Sequence, residues 1–189
     1  MANTMTNYLE VNGTDEVIEA MDNLFKNAGG YAETHTFVNT FYGTDYEKGV
    51  PHDWLFDNVG AKWIYVENEM DRGEWNISSA GYTPEHFWVQ LYKLASKIDP
   101  NVEILVKFQD ESYEPVGGLV VKKDHNGVPA WSMSEDYDIE DPTEDMDFDD
   151  EDYEDTQMEF MEELDDIMIG SLNYAHDTVW SGEGNKIEV

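Results

Sequence analysis

Residues 8–11 alternate in sidedness and end at the turn pair Asn12-Gly13, which predicts a short strand. A helix is expected next. Thr14 stands at a capping position, Asp15 and Glu16 suit the positive end of a helix dipole, and Val17, Ile18, Met21, Leu24 and Phe25 recur at helical spacing before Gly29-Gly30 stops the run. Between residues 31 and 53 the pattern weakens. There His35, Phe37, Asn39 and Phe41 alternate with Thr36, Val38 and Thr40, which predicts an irregular extended segment. Residues 62–67 and 74–80 are rich in strand formers on either side of Asp71-Arg72-Gly73 and read as a β-hairpin. Thr83, Pro84 and Glu85 supply a cap, a first-position proline and a first-turn acid for a second helix. Its Phe87, Trp88, Leu91, Leu94, Ala95 and Ile98 share one face, and Asp99-Pro100-Asn101 ends it. A strand at 102–108 follows, then a second hairpin of 119–123 and 128–133 around Asp124-His125-Asn126-Gly127.

Strand, helix, strand, strand, helix, strand is the split βαβ order, in which two helices cover one face of an antiparallel sheet. The expected fold class is therefore α+β, a ferredoxin-like sandwich. Across residues 7–133 the chain also resembles the YubB-like ferredoxin-like domain family of phage and conjugative-plasmid proteins. The likeness lies in Gly60-Ala61-Lys62-Trp63 entering the central hairpin, Thr83-Pro84 at the start of the second helix, and Phe108-Gln109-Asp110-Glu111 leading to Gly117-Gly118. The resemblance implies an origin on a mobile element and brings no catalytic residues with it. It also puts DNA mimicry, a recurrent role of small and very acidic phage proteins, first among the functions to consider.

After Ser134 the composition changes abruptly. Residues 135–166 hold 19 Asp or Glu among 32 positions and no Lys, Arg or His. Residues 136–156, with Pro142 and few regular apolar repeats, predict a linker or an extended segment. From Gln157 onward, Met161, Leu164, Met168, Leu172 and Ala175 fall at spacings of three and four with Phe160 and Ile167 beside them. Glu159, Glu162, Glu163 and Asp166 fall opposite, so an amphipathic helix is expected, loosened at Gly170 and followed by a frayed tail at 181–189. The organisation read from the chain is a ferredoxin-like body at 1–133, an acidic linker at 134–156, and an acidic helix with its tail at 157–189.

Composition narrows what such a chain does. A hydrophobic content of 40% over 189 residues supports a packed core. The formal net charge is -33, and the residues outside 135–166 still carry -14 of it. A nucleic-acid binder needs a basic footprint to displace counterions from phosphates, and 10 Lys plus Arg against 43 Asp plus Glu do not provide one, so no direct nucleic-acid binding is expected. With no cysteine, disulfides, thiolate zinc sites and cysteine nucleophiles are excluded, which fits a reducing compartment. The N-terminus lacks the pattern of a secretory leader and no apolar run is long enough to span a bilayer. A cytoplasmic protein is expected, in the host cell if phage-encoded.

Candidate chemistry is sparse. Asp145-Met146-Asp147-Phe148-Asp149 begins like a calcium loop but has Asp150 in place of the required glycine and Thr156 in place of the bidentate Glu. His35, His52, His86, His125 and His176 have no metal-ligand spacing, and no nucleophile elbow, phosphate loop or dinucleotide fingerprint is present. The expectation is a protein that is not an enzyme, without metal or cofactor. So many like charges repel one another, and a partner with a cationic groove relieves that repulsion. The expected function is inhibition by mimicry of nucleic-acid phosphate charge, directed at a CRISPR or restriction nuclease. Asp145, Asp147, Asp149, Asp150, Glu151, Asp152, Glu154, Asp155, Glu159, Glu162, Glu163 and Asp166 are the expected partner-binding residues. The aromatic residues that punctuate the run point to a docked surface, and the apolar helix stripe offers a homodimer seam as a further use. The competing class is an acidic chaperone-like protein that shields a basic partner without copying DNA.

Overall fold

The N-terminal alternation extends beyond its strongest residues. Strand β1 spans Thr4–Asn12, with Met5, Leu9 and Val11 buried on one side and Thr6, Tyr8 and Glu10 half-buried on the other. The computed structural model describes residues 3–30, 33–137, 139–143, 146–147 and 152–188. Helix α1 (Asp15–Asn27) buries Val17, Met21 and Phe25. The Thr14 hydroxyl makes no capping bond, and the Thr14 backbone N–H instead donates to Asp99 Oδ2 at 2.9 Å.

The extended segment expected between 31 and 53 is replaced by two helices, α2 (Thr34–Tyr42) and α3 (His52–Asn58). Phe37, Val38 and Phe41 satisfy helical spacing as well as strand alternation, and tertiary packing decides between them. Phe37 and Phe41 join Phe25 and Phe87 in a cluster whose ring centroids lie 4.7 to 5.0 Å apart, which requires the two rings to leave the same face of a helix.

The central hairpin pairs β2 (Ile64–Asp71) with β3 (Glu74–Ala80) through a turn tighter than expected, and two register shifts interrupt β2. Helix α4 (Glu85–Ala95) begins one residue later than the Pro84 reading: Pro84 is its cap, and the Thr83 hydroxyl accepts from the Trp88 indole at 3.0 Å. Strands β4 (Glu103–Asp110), β5 (Val116–Lys123) and β6 (Pro129–Asp136) follow, so the 133/134 boundary falls inside a strand. Helix α5 runs Tyr153–Ser181 without a break at Gly170. The tail is not frayed. Gly182 closes the helix in the left-handed region, β7 (Asn185–Lys186) pairs with β6, and Ile187 enters the main core.

Among the described residues the seven strands form one antiparallel sheet in the order β2-β3-β1-β4-β5-β6-β7, which with five helices makes a mixed α+β protein. The chain leaves β1 through α1, α2 and α3 and returns two strands away at β2. It then leaves β3 through α4 and crosses β1 to reach β4. Helices α1 to α4 share the face of Met5, Leu9, Trp75, Ile77, Ile104, Val106, Phe108, Leu119 and Val121, which is the main core.

Helix α5 occupies the opposite face, over β4, β5 and β6. Phe160, Leu164 and Met168 pack there on Val116, and Phe160 meets Tyr113 edge-on at 5.1 Å. Two adjacent residues of β5 leave no room for a side chain. A Cβ on Gly118 would lie 2.6 Å from Leu172 Cα in α5, and one on Gly117 would lie 2.6 Å from the Phe108 ring on the other face. Farther along, the buried Lys122 ties the C-terminal half of α5 to the sheet through Glu103 at 2.6 Å and through His176 Nε2, with the Trp180 ring nearby.

The β5–β6 turn is held by Asp124, which accepts from the backbone N–H groups of Asn126 and Val128 at 2.8 Å and from Lys186 Nζ of β7 at 2.7 Å. Bonding to Lys186 and then to the Val128 amide lowers its carboxyl to about 2.

Gly118→Val is expected to destabilise the protein by at least about 3 kcal/mol, because helix backbone has to move. Gly170→Ala meets open space in a helix interior and is expected to stabilise by about 0.5 to 1 kcal/mol. Chemical denaturation of both variants checks the pair. For Asp124 the folded-state value lies below the unfolded one, so its contribution is present above about pH 4 and is lost as pH falls through about 2. The stability gap between the parent and Asp124→Asn, followed by denaturation midpoint, should therefore close across that window. A gap that stays constant from about pH 5 to about pH 2 contradicts the assignment.

Candidate functional site

Helix α5 carries the acidic run on a fixed backbone. Its buried residues Phe160, Leu164, Met168, Ala175 and Val179 face the sheet, so Asp155, Glu159, Glu162 and Asp166 are turned to solvent by the helical repeat. Glu154 and Glu163 flank this row and are exposed too. Among the described residues none of these six carboxylates has a Lys or Arg partner. Glu154 and Asp155 lie in the first turn, where the helix dipole favours them; the others have no such compensation. Asp152 is the cap residue, exposed and without a side-chain capping bond, and Asp147 is exposed ahead of the helix. Asp145, Asp149, Asp150 and Glu151, the remaining expected partner-binding residues, lie outside the described residues, as does Phe148.

The apolar residues within the run do not all face outward. Phe160 is in the core, which corrects the expectation that the aromatic punctuation marks a docked surface, whereas Met158 and Met161 remain exposed. The strand aromatics sort in the same way. Trp75 is core, and Trp63 and Tyr65 stack on each other at 5.5 Å.

A second feature was not legible in any one segment. Helix α5 packs over β4 to β6, and a cleft of about 350 Å³ lies along its edge beside β1 and β3. Leu105, Met161, Met168 and Leu172 give it apolar walls, with Met70 at the rim. Its polar groups are Tyr8, Glu10, Glu74, Lys107, Gln109 and Asp165. Lys107 is already held by Asp165 across the cleft. Burial pushes the Tyr8 hydroxyl up, and the charges of Asp165 and Glu67 push it further.

Glu10 and Glu74 are directly opposed in the β1–β3 register, a like-charge placement that sheets disfavour, and neither has a cationic partner among the described residues. The Gln109 Oε1 is buried without a hydrogen-bond partner. The available signal in the sequence was the alternation Tyr8, Glu10 and Leu105, Lys107, Gln109, which assigns these side chains to one face of two strands. It does not show that a helix from much later in the chain stops beside them.

Among the described residues no group of three or more His, Asp or Glu is arranged to hold a metal ion, and no helix is long and apolar enough to cross a membrane. Compared with known proteins, the chain matches no family model, no curated protein and no solved structure.

Like charges four residues apart oppose each other in the pairs Asp155–Glu159, Glu159–Glu163 and Glu162–Asp166, and three apart in Glu159–Glu162 and Glu163–Asp166. The exposed row is therefore held against its own repulsion. Replacing Glu159, Glu162 and Glu163 by Gln and Asp166 by Asn is expected to raise stability by about 1 kcal/mol at low ionic strength, with the gain shrinking in high salt. Thermal or chemical denaturation at two salt concentrations checks this. A loss of stability would show that the row is structural.

Proposed function

We propose that this protein is a binding inhibitor that presents carboxylates in place of nucleic-acid phosphates to a basic nucleic-acid-binding protein, a host defence nuclease of the CRISPR or restriction type. The observation that carries this reading is the row of exposed carboxylates on the outer face of α5, which have no Lys or Arg partner among the described residues. From Glu154 to Asp166 the helix rises about 18 Å, so the six exposed acids average about 3.6 Å apart along the axis, close to the roughly 3.4 Å per phosphate along one strand of B-DNA. A solubilising tail needs neither a fixed backbone nor that density; a phosphate substitute needs both.

No catalysis is assigned to the chain, because charge and shape are sufficient for occlusion of a groove. We also read β4-β1-β3-β2, with its two crossovers on one face, as a ferredoxin-like unit extended by β5 to β7 and α5. That is in keeping with the YubB-like resemblance, an origin on a mobile element and action in the host cytoplasm.

Affinity capture from bacterial lysate on the immobilised full chain tests the function. The proteins retained should be nucleic-acid-binding, should be released by duplex DNA, and should be lost as salt rises, because exposed carboxylate contacts are screened over about 8 Å at physiological ionic strength. The chain with Glu159, Glu162 and Glu163 changed to Gln and Asp166 to Asn should retain them at least about tenfold less well. Partners that duplex DNA does not displace, or that bind equally at low and high salt, would overturn mimicry in favour of a shielding, chaperone-like role.

A further inference from the structure

We propose that the cleft between α5 and strands β1 and β3 is a docking site for a cationic segment of the partner protein. It receives one Arg or Lys side chain with its stem on the aliphatic walls and its charged head between Glu10 and Glu74. The proposal rests on the reading of a basic partner and names a second contact for it, away from the outer row of α5.

Charge complementarity identifies the occupant. Glu10, Glu74 and Asp165 line the cleft against Lys107 alone, and Lys107 is already engaged by Asp165. The opposed Glu10–Glu74 pair therefore lacks a cation that the chain itself does not supply among its described residues. A guanidinium or ammonium placed between the two carboxylates converts a repulsive cross-strand pair into a bridged one.

The walls select for a cation on an apolar stem rather than a bare ion. Leu105, Met161, Met168 and Leu172 form a surface suited to the methylenes of Arg or Lys, and methionines adapt to the shape of what they meet. Met70 and Met161 are 53% and 40% exposed, more than apolar side chains with a settled packing role require. The open edge strand beside the cleft, β2, is interrupted by two register shifts and carries exposed Glu67, Glu69 and Asp71, so backbone pairing of the incoming segment is blunted and side-chain docking is favoured.

The test uses the full chain labelled at its methionine methyl groups and titrated with a capped peptide of alternating Arg and Leu. The Met70, Met161 and Met168 signals are expected to shift saturably, while those of Met5 and Met21 in the main core stay in place. Glu10→Gln with Glu74→Gln should weaken the peptide about tenfold, against less than about twofold for Glu159→Gln with Glu163→Gln, which removes the same charge from the outer face of α5. Met70→Ser, at an exposed position of β2, should weaken it about threefold as an independent arm. Equal weakening by the two charge pairs, or the absence of a saturable shift at the three methionines, overturns the proposal. In that case salt-sensitive, DNA-displaced capture by the α5 row still supports mimicry. Conversely, a peptide seated in the cleft with partners that DNA does not release leaves the docking site standing and removes the mimicry.

Discussion

Close approach of α5 to β5 is the constraint on which the rest of the molecule depends. The helix backbone sits against Gly118 and the Phe108 ring against Gly117, so one strand has no side-chain bulk on either face at the point where the two layers meet. A larger residue at Gly118 would lift the helix. The lift would unpack Phe160, Leu164 and Met168 from Val116 and disturb Lys122 among Glu103, His176 and Trp180. What those contacts secure is the orientation of a helix whose outer face has little else to recommend it energetically, because its carboxylates repel one another.

The distribution of the few cations fits the same division of labour. Lys122 and Lys186 are used to fasten α5 and β7 to the sheet, and Lys107 closes the ion pair with Asp165 at the edge of the cleft. Among the described residues none is placed on the outer row of α5. Charge is compensated at these packing contacts and left bare on the outer row of α5. The helix lies over β4, β5 and β6, and the cleft runs along its edge. Had α5 lain centrally, Glu10 and Glu74 would be buried without a cation, which is far more costly than leaving them at an open step.

Much of the secondary structure follows from local pattern alone. The helix of Val17, Met21 and Phe25, the helix of Phe87, Trp88 and Leu91, the central hairpin and the amphipathic run through Leu164 and Met168 each carry an apolar period that only one element satisfies. So does the acidic face of α5, since residues three and four apart share a side of any helix. The α2 segment was not legible because Phe37 and Phe41 satisfy periods of two and of four equally, and only the aromatic cluster around Phe25 and Phe87 separates them. A strand as short as β7 has no period at all; it exists because Asp124 holds Lys186 and Ile187 finds the core.

For the candidate site, the sequence by itself determined that a dense, one-sided row of carboxylates would be exposed, because charge that dense cannot be buried and the helical repeat places it opposite the apolar stripe. Only the tertiary structure decided that the row is anchored rather than trailing, since the glycine that admits the helix, Gly118, lies on a strand far earlier in the chain, at a separation no local pattern spans. It likewise decided that Glu10, Glu74, Lys107 and Asp165 meet at one cleft. Cross-strand register and the resting place of a helix are set by long-range packing, and packing is a property of surfaces that come together only when the chain has folded.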